Sequence, residues 1–161
     1  MENANKIIHA RWIITGEATD KPLENHALVI KDDKILAIGP SQEMTKKYSA
    51  DETEHFPTHA IIPGLINAHT HIAMNYFRGM ADDLALMNWL NNYIWPAEKK
   101  WVNHEFVYDA SLLAMAEMIR CGTTCFNDMY FFLPATAQAA EKAGIRANIG
   151  MTVLDFPTQW A

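Results

Sequence analysis

Between residues 61 and 154, three apolar, strand-like runs alternate with helical patterns, and this alternation constrains the fold more than any other feature. Residues 62–71, 123–127 and 145–154 read as strands. Leu84, Met87, Leu90 and Ile94 recur at helical spacing over 83–95. Asn103 reads as the N-cap of a second helix reaching Arg120, stepping through Phe106, Ala110, Leu113 and Glu117, with Gly122 at its C-terminal end. Residues 134–143 read as a third helix, with Pro134 at its start and Gly144 after its end. Strand, helix, strand, helix, strand is the grammar of a parallel sheet.

The first sixty residues have a different character. Residues 6–15 are β-rich, with Ile7, Ile8, Trp12, Ile13 and Ile14. The apolar runs 27–30 and 35–38 flank Lys31-Asp32-Asp33-Lys34, which reads as a hairpin. Gly39-Pro40 should stop it. Ser41 is the expected N-cap of a short polar helix through Tyr48, and a short strand is expected over 54–56. A small β domain over 1–60 thus precedes the start of an α/β domain over 61–161. About three strands are fewer than an open sheet or a closed barrel needs, so the chain reads as the front part of a larger protein.

The first α/β strand carries the chemistry. Pro63-Gly64 supplies a turn, Leu65-Ile66-Asn67-Ala68 a buried strand, and His69-Thr70-His71 its end. Side chains alternate along a strand, so His69 and His71 project from one face, where two imidazoles can share a metal ion. A bare His-x-His is more often a pair of surface histidines beside a turn; the strand leading into this one shifts the reading to metal binding.

Composition narrows the function classes. Of 161 residues, 50% are hydrophobic and 20% charged, a globular balance, and the net charge is −6. That charge argues against nucleic-acid and anionic-membrane partners, which favour basic patches. Lys46-Lys47 and Lys99-Lys100 are isolated pairs. Residues 1–6 lack the apolar core of a signal peptide, and no apolar run approaches the length of a membrane span. Cys121 and Cys125 have no partner set and read as reduced structural thiols, which suits the cytoplasm.

The β-rich start, the run from Ile61 to His71 and Gly122-Thr123-Thr124-Cys125-Phe126-Asn127-Asp128 together resemble the amidohydrolase superfamily. That resemblance implies an α/β fold: a (β/α)8 TIM barrel flanked by a small β-sandwich that takes strands from both chain ends. Residues 1–60 would form the N-terminal part of the sandwich and 61–161 the first βα units of the barrel. The site would lie at the C-terminal face of the strands. Arg78-Gly79-Met80-Ala81-Asp82-Asp83, Trp89-Leu90 and Trp95-Pro96-Ala97-Glu98 narrow the match to deaminases acting on 5′-methylthioadenosine and S-adenosylhomocysteine, with triazine chlorohydrolases as close relatives.

By this resemblance the protein is an enzyme, a hydrolase of non-peptide carbon–nitrogen bonds that releases ammonia from adenine nucleosides. His69 and His71 match the first two ligands of one divalent metal ion, with Zn²⁺ favoured. Glu98 matches the carboxylate that holds the ribose hydroxyls, although its spacing alone also suits a surface charge beside Lys99. The proton-shuttling glutamate, three residues after a third metal-binding histidine, has no counterpart within 1–161, nor do the further ligands; no catalytic residue falls in this segment. The partner is a small nucleoside, and a homo-oligomer stays open. Some family members carry a substrate-contacting arginine on the third strand, where this chain has Asn148-Ile149-Gly150-Met151-Thr152. Asp128 ends its strand and reads either as facing the site or as a helix cap. Met74, Phe77, Met80, Met87, Trp89 and Trp95 read either as lining of an apolar pocket or as ordinary packing. The alternatives are a relative acting on a free base or triazine, to which a ribose clamp is useless, and a non-enzymatic assembly protein, against which both histidines argue.

Overall fold

The computed structural model describes residues 1–17, 21–155, 157–158 and 160. They divide into two compact units, Met1–Pro63 and Gly64–Ala161.

The first unit is a four-stranded sheet in the order β3-β2-β1-β4. Strands β1 (Glu2–Ile13), β2 (Leu23–Lys31) and β3 (Lys34–Pro40) pair antiparallel, and β4 (Tyr48–Ile61) lies parallel to β1. The expected hairpin forms: Lys31 pairs with Lys34 across Asp32 and Asp33. Asp32 takes φ 55°, a conformation that Asp tolerates better than most residues. A parallel return needs a crossover, and helix α1 (Ser41–Lys47) supplies it. Ile7, Ala27 and Val29 pack with Met44 of α1, while Ala10, Ile13 and Leu28 form a second cluster with Ile8 and Ile30. Two expectations are corrected here. Pro40, not Ser41, occupies the N-cap position, and Ser41 instead gives its carbonyl to Thr45 Oγ1 at 2.9 Å. The strand expected over 54–56 is 14 residues long, because pairing with β1 along most of its length overrides a polar sequence.

The second unit holds the parallel sheet. Strands β5 (Leu65–Thr70), β6 (Thr123–Tyr130) and β7 (Arg146–Met151) lie in that order, all parallel. After β5 come a 3₁₀ helix (Ile72–Phe77), then helix α2 (Leu86–Trp89), a π turn (Leu90–Ile94) and helix α3 (Trp95–Trp101) in one continuous helical run. The π turn breaks the expected spacing: Ile94 is buried, but Leu84 and Met87 are exposed.

Helix α4 (His104–Arg120) starts as the sequence implies, with Asn103 Oδ1 accepting from Phe106 N at 2.9 Å. Its buried face is Val107, Ala110, Ser111, Ala114 and Met115, one step round from the face expected, and Leu113 is exposed. Helix α5 (Leu133–Ala143) ends on Gly144 at φ 70°. Ala139 and Ala140 of α5 close a core with Ala114, Met115, Phe126 and Ile145. These alanines let the helices approach the sheet closely around Phe126, which is fully buried. Cys121 and Cys125 are free, one at the end of α4 and one in β6. Among the described residues no helix is long and apolar enough to cross a membrane.

Candidate metal centre

The end of β5 brings the two histidines together. His69 lies in the strand, and His71 lies just beyond it at φ −125° and ψ 73°, at the entry to the 3₁₀ helix. Strict alternation therefore lapses at the second histidine. The two Nε2 atoms nonetheless lie 3.3 Å apart, with the rings near perpendicular at 86°. Two nitrogen ligands at about 2.0–2.1 Å from one ion, at a tetrahedral angle, lie roughly 3.3–3.4 Å apart. Both rings are exposed.

The second ring nitrogen of His71 fixes its tautomer. Nδ1 lies 2.6 Å from the Met129 carbonyl oxygen, which can only accept. Nδ1 therefore carries a proton, and whenever the ring is neutral its lone pair lies on Nε2. A backbone carbonyl behind a ligating imidazole is a common outer-shell arrangement in metal sites. The donor set fits a divalent ion with nitrogen ligands. Among the described residues no cluster of three or more His, Cys, Asp or Glu forms around it.

Strand β6 braces this end of β5. Ladder pairing is interrupted between Asn67 and Thr70, and side chains take over. Asn127 Nδ2 donates to the Ala68 carbonyl at 3.1 Å. Asp128 Oδ1 accepts from Thr70 Oγ1 at 2.8 Å and from Ile72 N at 2.7 Å. Burial pushes the Asp128 carboxyl upward, and these donors pull it back. Through Oδ1, Asp128 acts as a cap for the turn that follows His71.

Glu98 is buried, at 8% exposure, on α3. Tyr130, the last residue of β6, donates its hydroxyl to Glu98 Oε1 at 2.7 Å. The Tyr130 ring also stands 6.5 Å from that of His71, so one side chain lies beside both candidate elements of the site. Burial raises the Glu98 pKa, opposed by the Tyr130 hydroxyl and by His71. Burial and the neighbouring Glu98 charge raise that of Tyr130, which stays a neutral donor. Nothing in the local sequence marked Tyr130, because its partner is 32 residues away; its place two residues after Asp128 on the same strand face was the available signal.

The loop after His71 is pinned to α4. Arg78 reaches Glu117 with two hydrogen bonds, at 3.0 and 2.6 Å, and also bonds to Asn75. Both charged side chains are well exposed, so the pair is worth at most about 1 kcal/mol, and geometry is its main contribution. Met74, Phe77 and Trp89 line a recess of about 400 Å³ with Arg78 and Asp82. Met80, Met87 and Trp95 do not line it.

Comparison with known proteins shows the family of the chain. The family model of the amidohydrolase family matches residues 60–159. The chain belongs to the amidohydrolase family. Over 157 residues this amidohydrolase chain is 50% identical to the 5-methylthioadenosine/S-adenosylhomocysteine deaminase of Saccharophagus degradans, an alignment covering 98% of the chain and 35% of that protein. The crystal structure of an adenosine deaminase from Xanthomonas campestris with bound zinc matches 99% of the chain and 36% of its own length, with TM-score 0.94 and 41% identity. The atrazine chlorohydrolase of Arthrobacter aurescens shares the fold, with TM-score 0.82 at 20% identity, over 94% of this chain and 36% of that one. The chain thus spans about a third of the length of these relatives.

Proposed function

We propose that the protein is a divalent-metal-dependent hydrolase that deaminates adenine nucleosides of the 5′-methylthioadenosine and S-adenosylhomocysteine type, releasing ammonia. One observation carries this reading: the 3.3 Å separation of His69 Nε2 and His71 Nε2, with Glu98 buried on the neighbouring helix. The name of the Saccharophagus relative and the zinc in the Xanthomonas neighbour support it.

In this reading β5, β6 and β7 begin a (β/α)8 barrel, and the four-stranded sheet of the first unit belongs to a flanking sandwich. His69 and His71 hold the ion, preferably Zn²⁺. When bound, it supplies the Lewis acidity that draws the pKa of water to roughly 7. His71 donates from Nδ1 to the Met129 carbonyl, which keeps its Nε2 aimed at the ion. Glu98 accepts from the ribose hydroxyls; hydrogen bonds to a charged acceptor are the strong ones and fix the nucleoside in orientation. The further metal ligands and the proton-shuttling carboxylate come from residues outside 1–161.

The test is ammonia release by the full-length protein from 5′-methylthioadenosine, S-adenosylhomocysteine, guanine and a chlorotriazine (with halide release followed for the last). Turnover of the nucleosides is expected. Turnover confined to guanine or the triazine would overturn the assignment, because neither offers hydroxyls to Glu98.

A further inference from the structure

We infer that Tyr130 is a positioning residue for substrate recognition: it anchors one oxygen of Glu98 so that the carboxylate meets the vicinal hydroxyls of the sugar already oriented. This rests on the ribose-binding reading of Glu98 proposed above.

The geometry is specific. The Tyr130 hydroxyl is 2.7 Å from Glu98 Oε1, and both residues are buried, at 5% and 8% exposure. Tyr130 is itself held firmly. Its backbone pairs with Met151 of β7, and its side chain packs in a cluster with Ala73, Val102, Val107 and Ala135. A glutamate has three side-chain torsions, and a free one loses their entropy when it binds. Anchoring Oε1 on a rigid strand removes much of that loss beforehand and leaves Oε2, with a remaining lone pair on Oε1, for the substrate. Tyr130 touches no reacting atom in this arrangement, so it should act on binding alone.

The experiment uses the full-length, metal-loaded protein and its Tyr130→Phe, Glu98→Ala and doubly substituted variants. Each is assayed with 5′-methylthioadenosine and with its 2′,3′-dideoxy analogue. Tyr130→Phe should raise KM for the diol substrate roughly 10-fold, the scale of a lost hydrogen bond to a charged group, with kcat little changed. KM for the dideoxy analogue should hold steady. In the Glu98→Ala background the Tyr130→Phe change should add nothing further. An equal rise on both substrates, a fall in kcat alone, or additive effects in the double variant would each overturn the role. Loss of metal or of the folded circular-dichroism signature in Tyr130→Phe would assign the residue to the framework and overturn it too. If Glu98→Ala discriminates between the two substrates and Tyr130→Phe does not, only the positioning role fails. If Glu98→Ala itself does not discriminate, the ribose reading of Glu98 fails with it.

Discussion

Asp128 caps the backbone of Ile72: its Oδ1 accepts from the Ile72 amide at 2.7 Å and, from the same oxygen, takes the Thr70 hydroxyl at 2.8 Å. The residues on either side of His71 are thereby tied to β6. Asp128→Ala strips the Ile72 amide of its acceptor, at about 1–3 kcal/mol, while the Thr70 hydroxyl keeps the Asn127 carbonyl at 3.1 Å. In the full-length protein this should lower metal affinity about 10–100-fold, the usual scale for outer-shell changes. Asp128→Asn keeps an acceptor and should lose less. Competition against a chromophoric chelator measures it; a folded Asp128→Ala variant with undiminished affinity would remove Asp128 from the account.

Burial makes Glu98 a pH-dependent cost to stability. Its folded pKa is raised, so the folded state keeps a proton that the unfolded chain releases at its ordinary carboxylate pKa. Stability should therefore fall as pH rises from the unfolded pKa through the folded one. Glu98→Gln preserves the acceptor for Tyr130 and removes the ionisation. In the metal-free protein it should melt at the same temperature as the parent near pH 4 and higher than the parent near pH 8, the two sides of a raised carboxylate titration. Thermal scans across that range check this, and a parent that matches or exceeds the variant near pH 8 contradicts it.

Gly64 is required by close approach. A Cβ there would lie 2.9 Å from the Cβ of Thr124 and overlap the rest of that side chain. Gly64→Ala should destabilise the protein by about 1–3 kcal/mol, the cost of overpacking a short, β-branched neighbour. Denaturant titration of the full-length variant reads this directly, and an unchanged midpoint would show that the strands separate at no cost.

Asn103 was the most legible of the local signals. Its side chain accepts from Phe106 N as an N-cap should. Asn103→Ala should cost about 1 kcal/mol, within 0.5–2, and Asn103→Asp should cost much less. The difference in chemical-denaturation midpoints tests the pair.

What the sequence could not convey follows one physical pattern. Most signals carried by neighbouring residues came through: the Asp32-Asp33 turn, the Asn103 cap, Gly144 after α5, and His-x-His at the end of a strand; the Ser41 cap did not, because Pro40 takes that position. Features decided by distant partners did not. β4 extends to 14 residues because β1 is available to pair with it. The π turn at Leu90–Ile94 adds a residue to the turn and defeats a count in steps of three and four. Leu113 fits the helical spacing yet faces outward, since small residues such as Ala110 and Ala114 are what the facing elements admit. Within the candidate site, the closeness of the two histidines was readable from their spacing, and Glu98 entered by resemblance alone. Tyr130 and Asp128 owe their roles to partners 32 and 56 residues away.

The central claim is that His69 and His71 share one metal ion. Its most direct test is metal content per protein chain in the full-length protein and in the His69→Ala/His71→Ala double variant, by elemental analysis after dialysis against a weak chelator. The account predicts bound divalent metal in the parent, with zinc foremost, and its loss in a folded double variant together with nucleoside deamination. Full metal occupancy in the double variant would contradict it.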